Sequence, residues 1–271
     1  MSIHKVLKGG EFLIKDTPYK NNFIPEDLSE EQLMIRQSVR EFVESEIWVK
    51  GHILASQVDL LEKAASMGLL GAHIPEEYGG SPMDTHSNTL ISEELGRGDA
   101  SFNTTLAAHT GIGMLPILYF GSEALKLKYL PGLSNGTLKA SYCLTEPSSG
   151  SDALSAKTKA ERSADGSEFI LTGQKMWISN AGFADVFIVF AQVDGDKFTG
   201  FLVEKNSPGL TLGEEEHKLG IKGSSTRQVF LDQVHVPKEH VLGEIGKGHL
   251  IAFNVLNIGR YKLGTMAMGG C

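Results

Sequence analysis

The 271-residue sequence predicts an α+β protein: an N-terminal α-helical domain, a middle domain built as an antiparallel β-barrel or sandwich, and the start of a second helical domain. Three observations carry this reading. Apolar residues recur at helical spacing as far as Gly136. From Leu138 to Val236 the pattern turns strand-like: β-branched and aromatic runs are separated by Gly, Asp and Asn, with no helix of useful length between them. The helical period returns at about Lys247 and is still running at Cys271. Boundaries are therefore expected at 1–136, 137–243 and 244–271, the last being a domain that is cut off.

In order, Ser29 followed by Glu30, Glu31 and Gln32 reads as a capping box, and Ile35, Val39, Phe42 and Val43 continue it as a helix to about Glu46. A second helix runs from Asp59 to Met67, with Gly68 as its left-handed stop. The turn Tyr78–Pro82 precedes a third helix, Asp84 to Leu95. Ala100 to Tyr119 is apolar nearly all round, with small residues at Ala107, Ala108, Gly111 and Gly113, and is expected to be one central buried helix. Ser122 to Leu130 is a short helix closed by Pro131. Strands are expected at Leu138–Thr145, Ala156–Glu161, Phe169–Ser179, Val186–Val193, Phe198–Glu204 and Arg227–Val236. The final helix, from about Lys247, places Ile251, Val255 and Leu256 on one side.

Composition narrows the function classes. A net charge of −8 without a local Lys/Arg cluster argues against nucleic acid as a partner. The longest apolar runs, such as Val186–Ala191, fall far short of the ~18 residues of a membrane span, and Met1–Lys15 lacks the apolar core of a signal peptide. Two cysteines, Cys143 and Cys271, make no disulfide framework, and no metal-ligand spacing occurs. A reducing, cytoplasmic setting is the default expectation.

Two runs carry the chemistry. Tyr142-Cys143-Leu144-Thr145-Glu146-Pro147-Ser148-Ser149-Gly150-Ser151-Asp152 begins as a buried strand and becomes a Ser/Gly-rich bend whose backbone N–H groups and hydroxyls suit a polar heterocycle or a pyrophosphate. Gly173-Gln174-Lys175-Met176-Trp177-Ile178-Ser179-Asn180 then sets an indole and a hydroxyl on one strand, where an aromatic ring is able to cover a planar cofactor. Together, and with Gly71-Ala72-His73-Ile74-Pro75-Glu76-Glu77-Tyr78-Gly79-Gly80, Lys218-Leu219-Gly220, Val234-His235-Val236-Pro237 and Leu242-Gly243, they closely resemble the acyl-CoA dehydrogenase family from about Leu28 to the last residue. The run Thr145-Glu146-Pro147-Ser148-Ser149-Gly150-Ser151 and the segment Asn257-Ile258-Gly259-Arg260 are most similar to its very-long-chain branch, which implies a medium to long acyl chain.

The resemblance implies FAD-dependent α,β-dehydrogenation of an acyl-CoA thioester. Its cofactor residues map onto Tyr142, Leu144, Thr145, Gly150, Ser151, Trp177, Ile178 and Ser179. Leu144 and Thr145 would bond the pyrimidine side of the flavin, Trp177 would cover a ring face, and Ser179 would approach the flavin N5 edge. Substrate residues map onto Ser151, Asn257 and Arg260, with Asn257 standing where some relatives have aspartate. The catalytic glutamate is expected beyond Cys271, because the alternative family position, just before Arg260, is Gly259. Glu146 and Asp152 are expected to hold the loop backbone by hydrogen bonds. Implied partners are an electron-transferring flavoprotein and further copies of the full-length chain.

Rival readings are an acyl-CoA oxidase, a non-catalytic flavin or acyl-CoA scaffold, and two enzymes of other classes. Gly132-Leu133-Ser134-Asn135-Gly136 matches the G-x-S-x-G pattern of serine hydrolases, but its order is helix, elbow, strand, the reverse of what strains the nucleophile turn. A nicotinamide enzyme lacks any G-x-G-x-x-G.

Overall fold

Ser29 opens the first long helix as the sequence predicts. In the computed structural model, which describes residues 11–16, 18 and 24–271, the Ser29 hydroxyl accepts from the Gln32 N–H at 3.2 Å and the Gln32 side chain accepts from the Ser29 N–H at 3.1 Å. Most of Met1–Lys15, read above for an export signal, lies outside the described residues. After a helical turn, α1 (Glu11–Ile14), helix α2 covers Glu30–Phe42 and passes through a π-helical turn, Val43–Ile47, into α3 (Trp48–Lys50). It thus outruns the expected end at Glu46, because Val43 and Ile47 are both fully buried and hold the turn onto the core. Helix α4 (Gln57–Ser66) ends before Gly68, whose φ of +76° is the left-handed stop. The Asp84 carboxylate caps α5 (Thr85–Gly96) by accepting from the Ser87 N–H at 3.0 Å.

Two expectations fail here for identifiable reasons. The single helix expected over Ala100–Tyr119 is instead α6 (Ala100–Ala107), a π turn at Ala108–Gly113, and α7 (Leu115–Phe120). Pro116 has no N–H for the ladder, and His109 binds two backbone groups outside its own helix. Its Nδ1 accepts from the Ala140 N–H at 3.1 Å, so its Nε2–H must donate to the Leu133 carbonyl, 3.0 Å away. Nor does Pro131 close a helix: α8 runs Glu123–Ser134 with Pro131 inside it. The carbonyl that loses its N–H partner there belongs to Leu127, an exposed residue.

His109 carries a pH prediction. It is fully buried, and burial drives its pKa down to about 4. Above pH 6.5 neither folded nor unfolded imidazole is protonated; as pH falls from there toward 4, only the unfolded chain takes up the proton. Stability is therefore lost with acidification, by about 2 kcal/mol between pH 7 and pH 5 from this one residue. Urea unfolding at the two pH values measures it, and an equal pH dependence in a His109→Gln variant would assign the loss elsewhere.

The β domain is one eight-stranded sheet among the described residues: β1 (Ala140–Cys143), β2 (Lys159–Arg162), β3 (Glu168–Ser179), β4 (Val186–Val193), β5 (Lys197–Glu204), β6 (Leu210–Leu212), β7 (Thr226–Pro237) and β8 (Val241–Leu242). Its spatial order is β6-β7-β3-β2-β4-β5-β8, with β1 also on β4. Most pairs are antiparallel as expected, but β1 and β2 both run parallel to β4, so the sheet is mixed. β1 pairs with Val186–Val189 and β2 with Gln192–Val193, so the two lie end to end along one edge of β4. The intervening chain, 144–158, is an excursion from one interrupted strand line.

Helix α9 (Gly248–Gly270) returns to the N-terminal helices and crosses α5 at near-contact distance. A Cβ on Gly96 would lie 2.0 Å from the Met266 carbonyl oxygen, and one on Gly269 would lie 1.8 Å from that of Glu93. Only glycine at both positions permits this crossing. One apolar cluster joins the helices to the sheet through Met114, Leu130, Tyr142, Phe190 and Val255. Among the described residues no helix is long and apolar enough to cross a membrane.

Candidate cofactor and substrate site

The excursion 144–158 is anchored from beneath by a buried ion pair. Lys175 on β3 is fully buried, and its Nζ donates to Glu146 at 2.7 Å. The same carboxylate accepts from the backbone N–H groups of Lys157 at 2.6 Å and Thr158 at 3.1 Å, closing the base of the loop. Burial alone would raise the Glu146 pKa, but Lys175 and these donors outweigh it and hold the carboxyl below its ordinary range. Lys175 receives less in return. Its second acceptor, the Leu144 carbonyl, is 3.4 Å away, so burial leaves its pKa lowered. Glu146 thus fixes loop backbone as expected. Asp152 does not: among the described residues its carboxylate makes no hydrogen bond, and its backbone carbonyl is instead held by the Ser149 and Ser155 hydroxyls, which donate to it at 2.7 and 2.8 Å.

Beside the loop, β3 carries a bulge. Lys175 pairs with Val229 and Ile178 with Arg227, so β3 has one residue more than β7 over this step. The Met176 N–H, freed from the ladder, donates to the Thr145 carbonyl at 2.9 Å. Trp177 adopts φ +58° and stands 62% exposed. A bulky residue in the left-handed region is a strained outlier, and here the strain turns an indole off the sheet next to a Ser/Gly-rich loop.

The bulge brings together only some of the expected residues. Thr145 and Ser179 are half-buried, Ser151 is exposed, and among the described residues none of their hydroxyls makes a hydrogen bond, although Ser179 accepts through its carbonyl from the Ser141 hydroxyl at 2.6 Å. Gly150 has no protein atom within 4 Å of the position a Cβ would take, so packing within the chain does not require glycine there. Leu144 is half-buried against the core. Tyr142 and Ile178 point into the protein instead: Tyr142 packs on Phe190 with its hydroxyl unpartnered, and Ile178 belongs to the sheet core. Burial pushes the Tyr142 phenol far up. These two have only backbone to offer a ligand.

Ser179 also lines a cavity of about 480 Å³ between the sheet end, α5, α6 and α9, with Gly259, Leu263, Met266, Ala107 and Ile112. Its lining is mostly apolar and contains no carboxylate. Next to Ser179, Asn180 (φ +65°) donates its side-chain amide to the Thr105 carbonyl at 2.8 Å, clamping the strand end to α6. Asn257 and Arg260 are exposed on α9, where the Arg260 guanidinium donates to the Asn257 side chain at 2.6 Å. The sequence reading missed Lys175, Asn180 and this helix-lined cavity. An inward-facing lysine in an apolar strand was the signal available for Lys175, since such a residue requires a buried carboxylate.

The model for "Acyl-CoA dehydrogenase, N-terminal domain" matches residues 29–137, and that for "Acyl-CoA dehydrogenase, middle domain" matches residues 141–234. A "Probable acyl-CoA dehydrogenase" of Bacillus subtilis (strain 168) is 54% identical over 269 residues, 97% of this chain and 45% of that protein. The human "Very long-chain specific acyl-CoA dehydrogenase, mitochondrial" is 43% identical over 212 residues, 75% of this chain and 32% of that protein. A crystal structure of acyl-CoA dehydrogenase complexed with FAD from Bacillus anthracis superposes with a TM-score of 0.91 at 50% identity, covering 97% of this chain and 47% of the other. The chain thus spans about half the length or less of these relatives. With both domain models matched in order across the helical and sheet halves, the chain belongs to the acyl-CoA dehydrogenase family.

Proposed function

We propose that these residues form the flavin shelf and part of the acyl pocket of an FAD-dependent acyl-CoA dehydrogenase. What supports this is Trp177, raised from a bulge on the strand that also carries Ser179 and is tied to Thr145 through the Met176 N–H, with the unengaged hydroxyls of Thr145 and Ser179 beside a loop whose Gly150 leaves open space. Such a surface fits an isoalloxazine: an aromatic face to cover it and polar groups for its heteroatoms. Leu144 offers backbone to the pyrimidine side, Thr145 its hydroxyl as well, and Ser151 reaches the pyrophosphate and the pantetheine arm. When bound, FAD supplies a hydride acceptor for the substrate β-carbon.

The protein's own residues do the rest. The apolar cavity beside Ser179 takes the acyl chain, excludes water from it and sets the reacting carbons by the Ser179 strand end. Asn257 and Arg260, exposed on the helix that supplies Gly259 and Leu263 to the lining, present polar groups to the CoA portion. The α-proton needs a carboxylate base. The cavity lining has none, and Gly259, which faces it, has no side chain to accept a proton. Glu146 is committed to Lys175 and two backbone N–H groups. The base is therefore assigned to residues outside this chain, and the chain alone is predicted inactive.

Substrate class and electron disposal follow the same reading: a medium to long acyl chain, and an electron-transferring flavoprotein as acceptor. Stoichiometric peroxide formation in air by a longer, active form would make it an oxidase instead. The cofactor reading is tested at the indole. Trp177→Ala is expected to lower FAD retention on gel filtration about tenfold or more, in line with the loss of ~1.5 kcal/mol of ring contact. Unchanged flavin content and an unchanged flavin absorption envelope would count against this placement.

A further inference from the structure

A second cavity, of about 200 Å³, lies in the seam between α9 and the N-terminal helices and is lined by His73, Thr85, Asn88, Ile258, Tyr261 and Lys262. Lys262 is only 9% exposed, and among the described residues its Nζ has neither a hydrogen-bond acceptor nor a carboxylate. Lysines this deeply buried are almost always paired. Among the described residues no neighbouring polar group bonds that amine. Asn88 donates its amide to the carbonyls of Ala72, Met83 and Asp84 at 3.1, 2.9 and 3.2 Å, and the Tyr261 hydroxyl bonds that of Thr89. Asp84, the acid at the start of α5, is turned to Ser87 and Gln32. The half-buried His73 ring makes no hydrogen bond among the described residues.

Two basic side chains therefore face one small cavity that, among the described residues, no carboxylate lines. Burial lowers Lys262 to about 8, and burial together with Lys262 lowers His73 to about 4. Each group is hindered from charging by burial, and His73 also by the lysine beside it. An anion between them would reverse both effects and satisfy the buried amine.

We propose that this cavity is a binding site for one carboxylate group, held between Lys262 Nζ and the His73 ring and fastening α9 to the N-terminal helices. The carboxylate has two possible sources, a small free carboxylate or an Asp or Glu side chain from elsewhere in the polypeptide or from a second copy. The site is separate from the Ser179 cavity and does not depend on the flavin reading.

The test uses the protein at its full natural length, sodium acetate as the probe, and Lys262→Met, which keeps the aliphatic stem and removes the charge. Thermal unfolding is compared in 100 mM acetate and 100 mM chloride at pH 7, alongside zero-length carbodiimide cross-linking with peptide mapping. A free carboxylate ligand predicts a Tm about 3 °C higher in acetate for the parent protein and no acetate effect in Lys262→Met. A carboxylate from the polypeptide predicts no acetate effect, a Lys262→Met variant that melts several degrees lower, and a Lys262 cross-link to an Asp or Glu. Absence of both the acetate effect and the cross-link overturns the proposal, whatever the variant's Tm. A variant more stable than the parent in both salts would be the direct signature of a lysine with nothing to bind.

Discussion

Lys175→Met is expected to lower stability by about 3–5 kcal/mol and to strip the protein of flavin. The cost comes from what is left behind. Glu146 is 5% exposed, and without Lys175 its charge is buried with only the Lys157 and Thr158 N–H groups for company. The carboxyl responds by taking up a proton, which weakens its hold on those two donors and loosens the base of the loop 144–158. Glu146→Ala is expected to cost at least as much, because it orphans the fully buried Lys175 and two backbone donors together. For the same reason the double variant Lys175→Met, Glu146→Leu is not expected to recover the parent's stability. Urea unfolding with parallel measurement of bound flavin checks both effects. Loss of stability with full flavin content would confine the pair to a structural role.

Glu94→Ala is expected to be comparably severe, with no direct contact to the candidate flavin site. Glu94 is 1% exposed and accepts from Arg36 at 2.8 Å, from Arg40 at 2.7 and 3.1 Å, and from Arg97 at 3.0 Å. It ties α2 to α5 at the helix that α9 crosses through Gly96. Burial alone would raise its carboxyl, but the three guanidiniums bring it down to about 2. Removing it leaves three cations crowded around a cavity, for about 3–5 kcal/mol. Because the folded pKa lies below the unfolded one, this stabilisation is complete above about pH 4.5 and is lost as pH falls toward 2. The variant should therefore differ most from the parent at pH 7 and least near pH 2 to 3, a window below that of His109. A pH-independent difference in unfolding free energy would show that lost packing, not charge, carries the effect.

The sequence foretold most elements because helix starts and strand runs are local. The Ser29 capping box, the Gly68 stop and the apolar run Val186–Val193 are specified by neighbours in the chain, and the structure realises all three. What it missed depends on contacts distant in sequence. The break in the Ala100–Tyr119 helix is set partly by His109 reaching Leu133 and Ala140. The parallel placement of β1 and β2 on β4 is invisible to a period-2 pattern, which is the same for either direction. At the candidate site, the loop and Trp177 were legible as a motif, but the bulge that lifts the indole and the Lys175–Glu146 pair beneath it arise from strand register. The cavity beside Ser179 was illegible because its walls come from α5, α6 and α9, which meet only in the fold.

The most direct test of the central claim is anaerobic stopped-flow mixing of FAD-loaded protein with a panel of saturated acyl-CoAs, using the 271-residue chain and, on the proposal that the base lies outside it, a longer form of the protein. The longer form is predicted to bleach its flavin fastest with medium to long acyl chains. The chain alone is predicted to do so slower by on the order of 10²–10⁴, the usual cost of a missing general base. Bleaching of the 271-residue chain at a rate comparable to the longer form would place a base within these residues, and bleaching of neither form by any acyl-CoA would contradict the dehydrogenase reading itself.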